Sequence, residues 1–199
     1  MAKITDLDQL DLNGIYSYAD YLSWHFQERV ELIKGKIFKM SPAPSRQHQR
    51  IAMELTKQIG LYLEGKICQA YFAPFDVRLF DSRKATKENE QIHTVVQPDI
   101  CVICDLSKLD DRGCLGAPDW IIEILSPGNN KNELDNKFRL YEENGVQEYW
   151  LVHPSDQTVV VFDLKEGAYQ LRKLYASDDA ITVGVFPEFT IDLEKVFRD

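Results

Sequence analysis

Apolar residues recur along this chain in two rhythms. From Arg46 to Glu64, Ile51, Leu55, Ile59, Tyr62 and Leu63 fall at helical spacing, which predicts a long amphipathic helix with Arg46, Arg50 and Lys57 on its exposed side. Lys131 to Asn144 repeats the rhythm, with Leu134, Phe138 and Tyr141 on one side and Gly145 placed as the C-terminal cap. Ser17 can cap a short helix over YADYLSWHFQ. Elsewhere the period is two. VELIKGKIFKM reads as a strand or hairpin turning at Lys34 and Gly35, and Phe75, Val77 and Leu79 alternate with polar neighbours as in a strand with one wet face. QEYWLVHP, TVVVFDL and AYQLRKLY read as three further strands, the last two a hairpin joined near Glu166 and Gly167.

Two apolar runs fit neither rhythm. ICVIC and WIIEIL are too short for helices and rich in Ile and Val, as strands covered on both faces are. SPAPS, SRKATKENEQ and SPGNN interrupt the chain between these segments. Strands separated by helices and followed by a meander predict an α/β (α+β) fold, a mixed β-sheet flanked by helices. No internal repeat or long linker divides residues 1–199, so one domain is expected.

Composition adds limits rather than chemistry. With 199 residues the chain can bury roughly 70% of its unfolded surface, and 44% hydrophobic and 28% charged residues are ordinary for a globular protein. No apolar run has the length of a membrane span or signal segment, so a cytoplasmic protein without membrane contact is expected. Cys101 and Cys104 form a Cys-x-x-Cys, but an offset of three in a strand points them to opposite faces. No metal-cysteine site is expected, only buried free thiols. The net charge of -9 counts against a protein that simply coats nucleic acid. Most of it lies in residues 140–199, with 5 basic against 12 acidic residues; residues 1–139 hold 18 against 20.

The chemistry lies in the covered runs. Asp99 opens ICVICD and Glu123 splits WIIEIL. A carboxylate buried without a partner loses most of its hydration, so two of them in core strands need a reason. If the strands are neighbours, both side chains reach one sheet edge, where a divalent cation offsets their burial. Lys137, on the helix after Glu123, brings a second cation to the same pocket, and Tyr141 lies one turn further along its face. Asp, Glu, Lys and a magnesium ion are the parts of a metal-dependent phosphodiesterase. Plainer readings exist: a strand cap for Asp99, a solvated helix lysine for Lys137, a structural helix-start histidine for His48. A serine hydrolase using Ser126 lacks its Gly-x-Ser-x-Gly turn.

Pro98-Asp99 with Glu123 in an Ile-rich strand resembles the PD-(D/E)xK nuclease superfamily. More narrowly, ELIKGKIFKMSPAP, His48, QPDI, APDWIIEILSP, the helical Asp135, Lys137 and Tyr141, and NGVQEYWLVHP resemble the Uma family of restriction endonucleases, from about Tyr18 to the final FTIDLEKVF. The resemblance implies a restriction-endonuclease-like fold and Mg2+ (or Mn2+)-dependent cleavage of DNA. Asp99, Glu123 and Lys137 would then be catalytic, and Asp99, Glu123 and Glu31 would surround the metal. His48, Arg46, Arg50 and Tyr141 would face the substrate; with DNA over that edge, the acidity of the C-terminal third leaves Arg46, Arg50, Arg83 and Lys84 as the expected phosphate contacts. The superfamily pattern puts its lysine two residues after the Glu, where this chain has Leu125; the resemblance implies that Lys137 takes its place. A homodimer is implied, since duplex cleavage by one-site nucleases uses two sites. The competing expectation is a catalytically degenerate module that keeps the fold and binds nucleic acid or protein.

Overall fold

Alternating segments pair into sheets and the helical segments cover them. The computed structural model describes residues 3–40, 44–80, 88–126 and 131–198. In chain order its elements begin with the one-turn helix α1 (Tyr18–Tyr21), strands β1 (Val30–Ile33) and β2 (Lys36–Lys39) and helix α2 (Arg46–Leu63). Strands β3 (Gln69–Phe72), β4 (Val77–Leu79), β5 (Thr94–Val96), β6 (Ile100–Ile103), β7 (Leu109–Asp110), β8 (Gly113–Leu115) and β9 (Trp120–Ile124) follow. Helix α3 (Lys131–Asn144) leads to β10 (Glu148–His153), β11 (Thr158–Lys165), β12 (Ala168–Ala176), β13 (Ala180–Thr182), β14 (Thr190–Asp192) and helix α4 (Leu193–Phe197).

The central sheet has the order β12-β11-β10-β9-β6-β3. The covered runs ICVIC and WIIEIL are neighbours in it, β6 antiparallel to β9 with Ile100 opposite Ile122. β9 and β10 are parallel, and a parallel pair needs a crossover, which α3 supplies. Gly145 ends α3 at φ 83°, the left-handed conformation that a residue without Cβ adopts freely. On one face Trp120, Ile122, Ile124, Trp150 and Val152 pack under Ile51, Leu55 and Ile59 of α2 and Val196 and Phe197 of α4. On the other, Cys101, Ile103, Ile121 and Tyr149 meet Leu140 and Tyr141 of α3 and Val77, Leu79 and Val96 of a second sheet, ordered β2-β1-β5-β4-β8-β7. Strand alternation puts Glu123 on this second face, beneath α3, while Asp99 immediately precedes β6.

The expected mixed sheet with helices on its faces is present, as are the hairpin turns at Lys34-Gly35 and Glu166-Gly167. Several expectations are corrected. Strand β4 has no wet face: Arg78 is 2% exposed, because Asp110 of β7 takes its guanidinium. The first helix stops at Tyr21 rather than running through YADYLSWHFQ. Cys104 is not a free thiol: Gln69 pairs with Ile103, so Cys68 stands opposite Cys104, and the two form a disulfide. Cys101 and Cys114 are free and buried. Short strands β3, β5, β7, β8, β13 and β14 and helix α4 carry too few residues to show a period. Parts of SPAPS, SRKATKENEQ and SPGNN lie outside the described residues. No described helix is long and apolar enough to cross a membrane.

Candidate active site

Glu123 lies in the middle of the central sheet, 8% exposed. Its Oε1 accepts two hydrogen bonds from α3, one from Lys137 Nζ at 3.0 Å and one from the Tyr141 hydroxyl at 2.6 Å. The i, i+4 spacing of that lysine and tyrosine aims both at one carboxylate. Lys137 also donates to Glu31 Oε1 at 3.1 Å. Glu31 arrives from β1 of the second sheet and is 3% exposed. The same oxygen accepts the backbone N–H of Gln97 at 2.8 Å, so the QPD segment that begins the β6 strand also holds Glu31.

Asp99 stands beside this cluster. Its Oδ2 accepts the backbone N–H of Ile124 at 2.7 Å, tying the start of β6 to the end of β9, and lies 3.3 Å from His48 Nε2 at the first turn of α2. Asp99, Glu123, Glu31, Lys137 and His48 line one cavity of about 330 Å³, with Arg29, Gln97, Glu133 and Tyr149. A larger cleft of about 1170 Å³, bordered by Lys34, His93, Lys108 and Glu143, contains none of the predicted site residues. Chemistry, not size, marks the smaller cavity.

Two carboxylates share one buried ammonium, so the cluster carries more acid than base. Burial pushes Glu123 up to about 7; Lys137 opposes this, and the charges of Asp99 and Glu31 add to it. Burial works against the Lys137 charge, but the charges and hydrogen bonds of Glu123 and Glu31 outweigh it and raise its pKa, so it remains an ammonium. Burial would lower His48, while the hydrogen bond and charge of Asp99 raise it above its ordinary 6.5. Burial and the neighbouring Glu123 hold the Tyr141 hydroxyl well above 10, a neutral donor at any working pH.

Among the described residues no group of three or more acidic, histidine or cysteine side chains has metal-holding geometry, and Lys137 occupies the space between Glu31 and Glu123. The donor set is nevertheless that of a hard divalent cation. Each of Glu31, Glu123 and Asp99 gives a single oxygen to protein donors: Oε1, Oε1 and Oδ2. The second oxygen of each accepts no hydrogen bond among the described residues, so these three carboxylates are the groups that would hold such an ion.

The remaining predicted residues fall apart from this centre. Arg50 turns away from the cavity: its guanidinium donates to the carbonyls of Val196 and Phe197, at 3.5 and 3.0 Å, across the end of α4. Arg46 is exposed on the first turn of α2. Arg83 and Lys84 lie outside the described residues. Sequence reasoning missed Arg29, an exposed cation at the cavity that donates to Gln97 Oε1 at 2.6 Å. It also missed Gln97 and Tyr149, both inside segments, QPDI and GVQEYW, that had been singled out for other residues.

The Uma2 family, described as "Putative restriction endonuclease", matches residues 18–194. The uncharacterized protein slr1290 of Synechocystis sp. is 24% identical over 178 residues, covering 87% of this chain and 88% of its own. The crystal structure of "a putative nuclease belonging to DUF820" from Anabaena variabilis superposes with a TM-score of 0.68 at 23% identity, over 92% of this chain and 97% of that one. At that identity the likeness shows the fold alone.

Proposed function

Because the chain belongs to the Uma2 family, whose description is that of restriction endonucleases, we propose that it is a divalent-metal-dependent endonuclease that hydrolyses phosphodiester bonds in DNA. The observation that carries this reading is the convergence of Asp99, Glu123 and Glu31 on one cavity with Lys137 between two of them. Asp99, Glu123 and Glu31 would hold Mg2+ or Mn2+, which when bound supplies positive charge to the phosphate and acidifies water. Lys137, kept an ammonium by Glu31 and Glu123, would steady the attacking water or the charge that develops on the phosphate. Tyr141 keeps Glu123 oriented through its 2.6 Å hydrogen bond, and His48 does the same for Asp99. Arg46 meets phosphates outside the cavity. Arg50, spent on α4, contributes through the helix it fastens.

In this reading the chain acts as one domain in the cytoplasm, and two copies cut a duplex as a homodimer. Plasmid is expected to be nicked or linearised with magnesium or manganese and to stay intact with EDTA. Plasmid that is bound but uncut in both conditions moves the reading to a noncatalytic binding module. The closure of Lys137 onto both Glu31 and Glu123 is the observation that favours that second reading.

A further inference from the structure

Tyr149 is fully buried, yet its hydroxyl has no hydrogen-bond partner among the described residues. Of the buried polar atoms in that condition, it and His48 Nδ1 belong to residues that line the active-site cavity. Taking a hydroxyl out of water without replacing its hydrogen bond is unfavourable, and folded chains seldom leave one so. The neighbouring Tyr141 shows the ordinary solution, since its hydroxyl is taken up by Glu123 Oε1 at 2.6 Å.

The orphan is also held in place. The Tyr149 ring meets Tyr141 edge-on with centroids 5.2 Å apart and lies close to parallel with Phe162 and Tyr169 at 6.2 and 5.9 Å. On β10 it pairs with Ile121, two residues before Glu123 on the same face of β9, so the phenol points where the carboxylates point. Burial and the charges of Glu123, Tyr169, Asp99 and Glu133 raise it well above 10, which keeps it a protonated donor. Three carboxylates are thus near enough to be felt, but none accepts its proton. No described residue supplies the acceptor, which leaves the hydroxyl open to one that enters the cavity.

We propose that the Tyr149 hydroxyl is a substrate-binding donor, reserved for a nonbridging oxygen of the phosphodiester that enters the cavity beside Asp99 and Glu123. This rests on the nuclease reading for the identity of the ligand. A phosphate group supplies an anionic acceptor that a rigid, water-excluded donor binds strongly, and the bond forms only when substrate is present.

The test compares the full chain with Tyr149→Phe, following melting temperature during titration with inorganic phosphate at fixed magnesium, and plasmid cleavage in parallel. Tyr149→Phe is expected to melt no lower than the parent without ligands and to keep the shift produced by magnesium alone. It should bind phosphate about tenfold more weakly and cleave about tenfold more slowly or worse. A markedly lower melting temperature would reveal a structural partner for the hydroxyl and overturn the inference. So would equal phosphate affinity in the two proteins, or no phosphate binding by the parent. Parent protein that binds phosphate through Tyr149 but leaves plasmid intact keeps this inference and removes the nuclease reading. Unchanged cleavage in Tyr149→Phe does the reverse.

Discussion

Adjacent residues of β10 belong to two clusters with the same charge count and opposite character. On one face Glu148 meets Arg172, which also grips Asp163: two acids and one base. On the other face, Tyr149 borders the cavity where Glu31 and Glu123 share Lys137, again two acids and one base. The first cluster is saturated. Glu148 Oε1 accepts Trp150 Nε1 at 2.8 Å and Oε2 accepts the Val185 N–H at 2.9 Å, while Asp163 receives Arg172 through both of its oxygens. Arg172 spends a further donor on the Thr182 carbonyl, so the cluster fastens β10, β11, β12 and β13 to one another. In the second cluster each carboxylate uses one oxygen and leaves the other. Charge count does not distinguish the two clusters; the fraction of hydrogen-bonding capacity already used does.

The largest effect should come from breaking the saturated cluster. Arg172→Met leaves Glu148 buried with its charge uncompensated and should lower stability in urea unfolding by about 3 kcal/mol, metal or no metal. A loss below about 1 kcal/mol would mean that Trp150 and Val185 suffice for Glu148, and the contrast would weaken. Lys137→Ala is the matching change in the open cluster. Cleavage should fall about 100-fold or more, and the two acids left facing each other should make the protein more dependent on metal, so that magnesium raises its melting temperature further than the parent's. Equal magnesium shifts in both proteins would place the metal away from Glu31 and Glu123.

The smallest effect is a pH dependence. Glu123 has a folded pKa of about 7 against an ordinary 4.5, so it favours folding below 4.5 and that stability is lost as pH rises through about 7. His48, also raised, acts with the same sign from 6.5 upward. Thermal denaturation of the metal-free parent should therefore show falling stability from about pH 4.5 to 7, and Glu123→Gln should flatten that slope. An unchanged slope in Glu123→Gln would assign the proton uptake to another group.

What could be read in advance divides along physical lines. Helix α3 runs from Lys131 to Asn144 as its periodicity indicates, and ICVIC and WIIEIL are strands, because local pattern and burial on both faces leave a short apolar segment few options. Glu31 was harder. The VELI pattern gives only a hairpin strand, Glu31 enters through the family resemblance, and its burial depends on β1 pairing with β5, where Leu32 meets Val95, and on the N–H of Gln97. Arg50 shares the polar side of α2 with Arg46 in the pattern, but α4, whose carbonyls it caps, is five residues long and gives no periodic signal. Cys68 and Cys104 meet because β3 pairs with β6, a register fixed by neighbours rather than by either segment. Contacts within an element and between the successive elements β9 and α3 were legible, and those set by the docking of β1, β3 and α4 were not.

The bonds of Lys137 have an uneven reach along the chain, which bears on the order of assembly. Its bond to Glu123 spans 14 residues and its bond to Glu31 spans 106. The short loop closes with the β9-α3-β10 unit, while the long one waits until β1 has docked, and closing it costs more chain entropy. Within the β9-α3-β10 unit Lys137 has Glu123 as its partner, and Glu31 joins it from a distant part of the chain. The excess negative charge that invites a cation therefore depends on the docking of β1 and is not a property of the β9-α3-β10 unit alone.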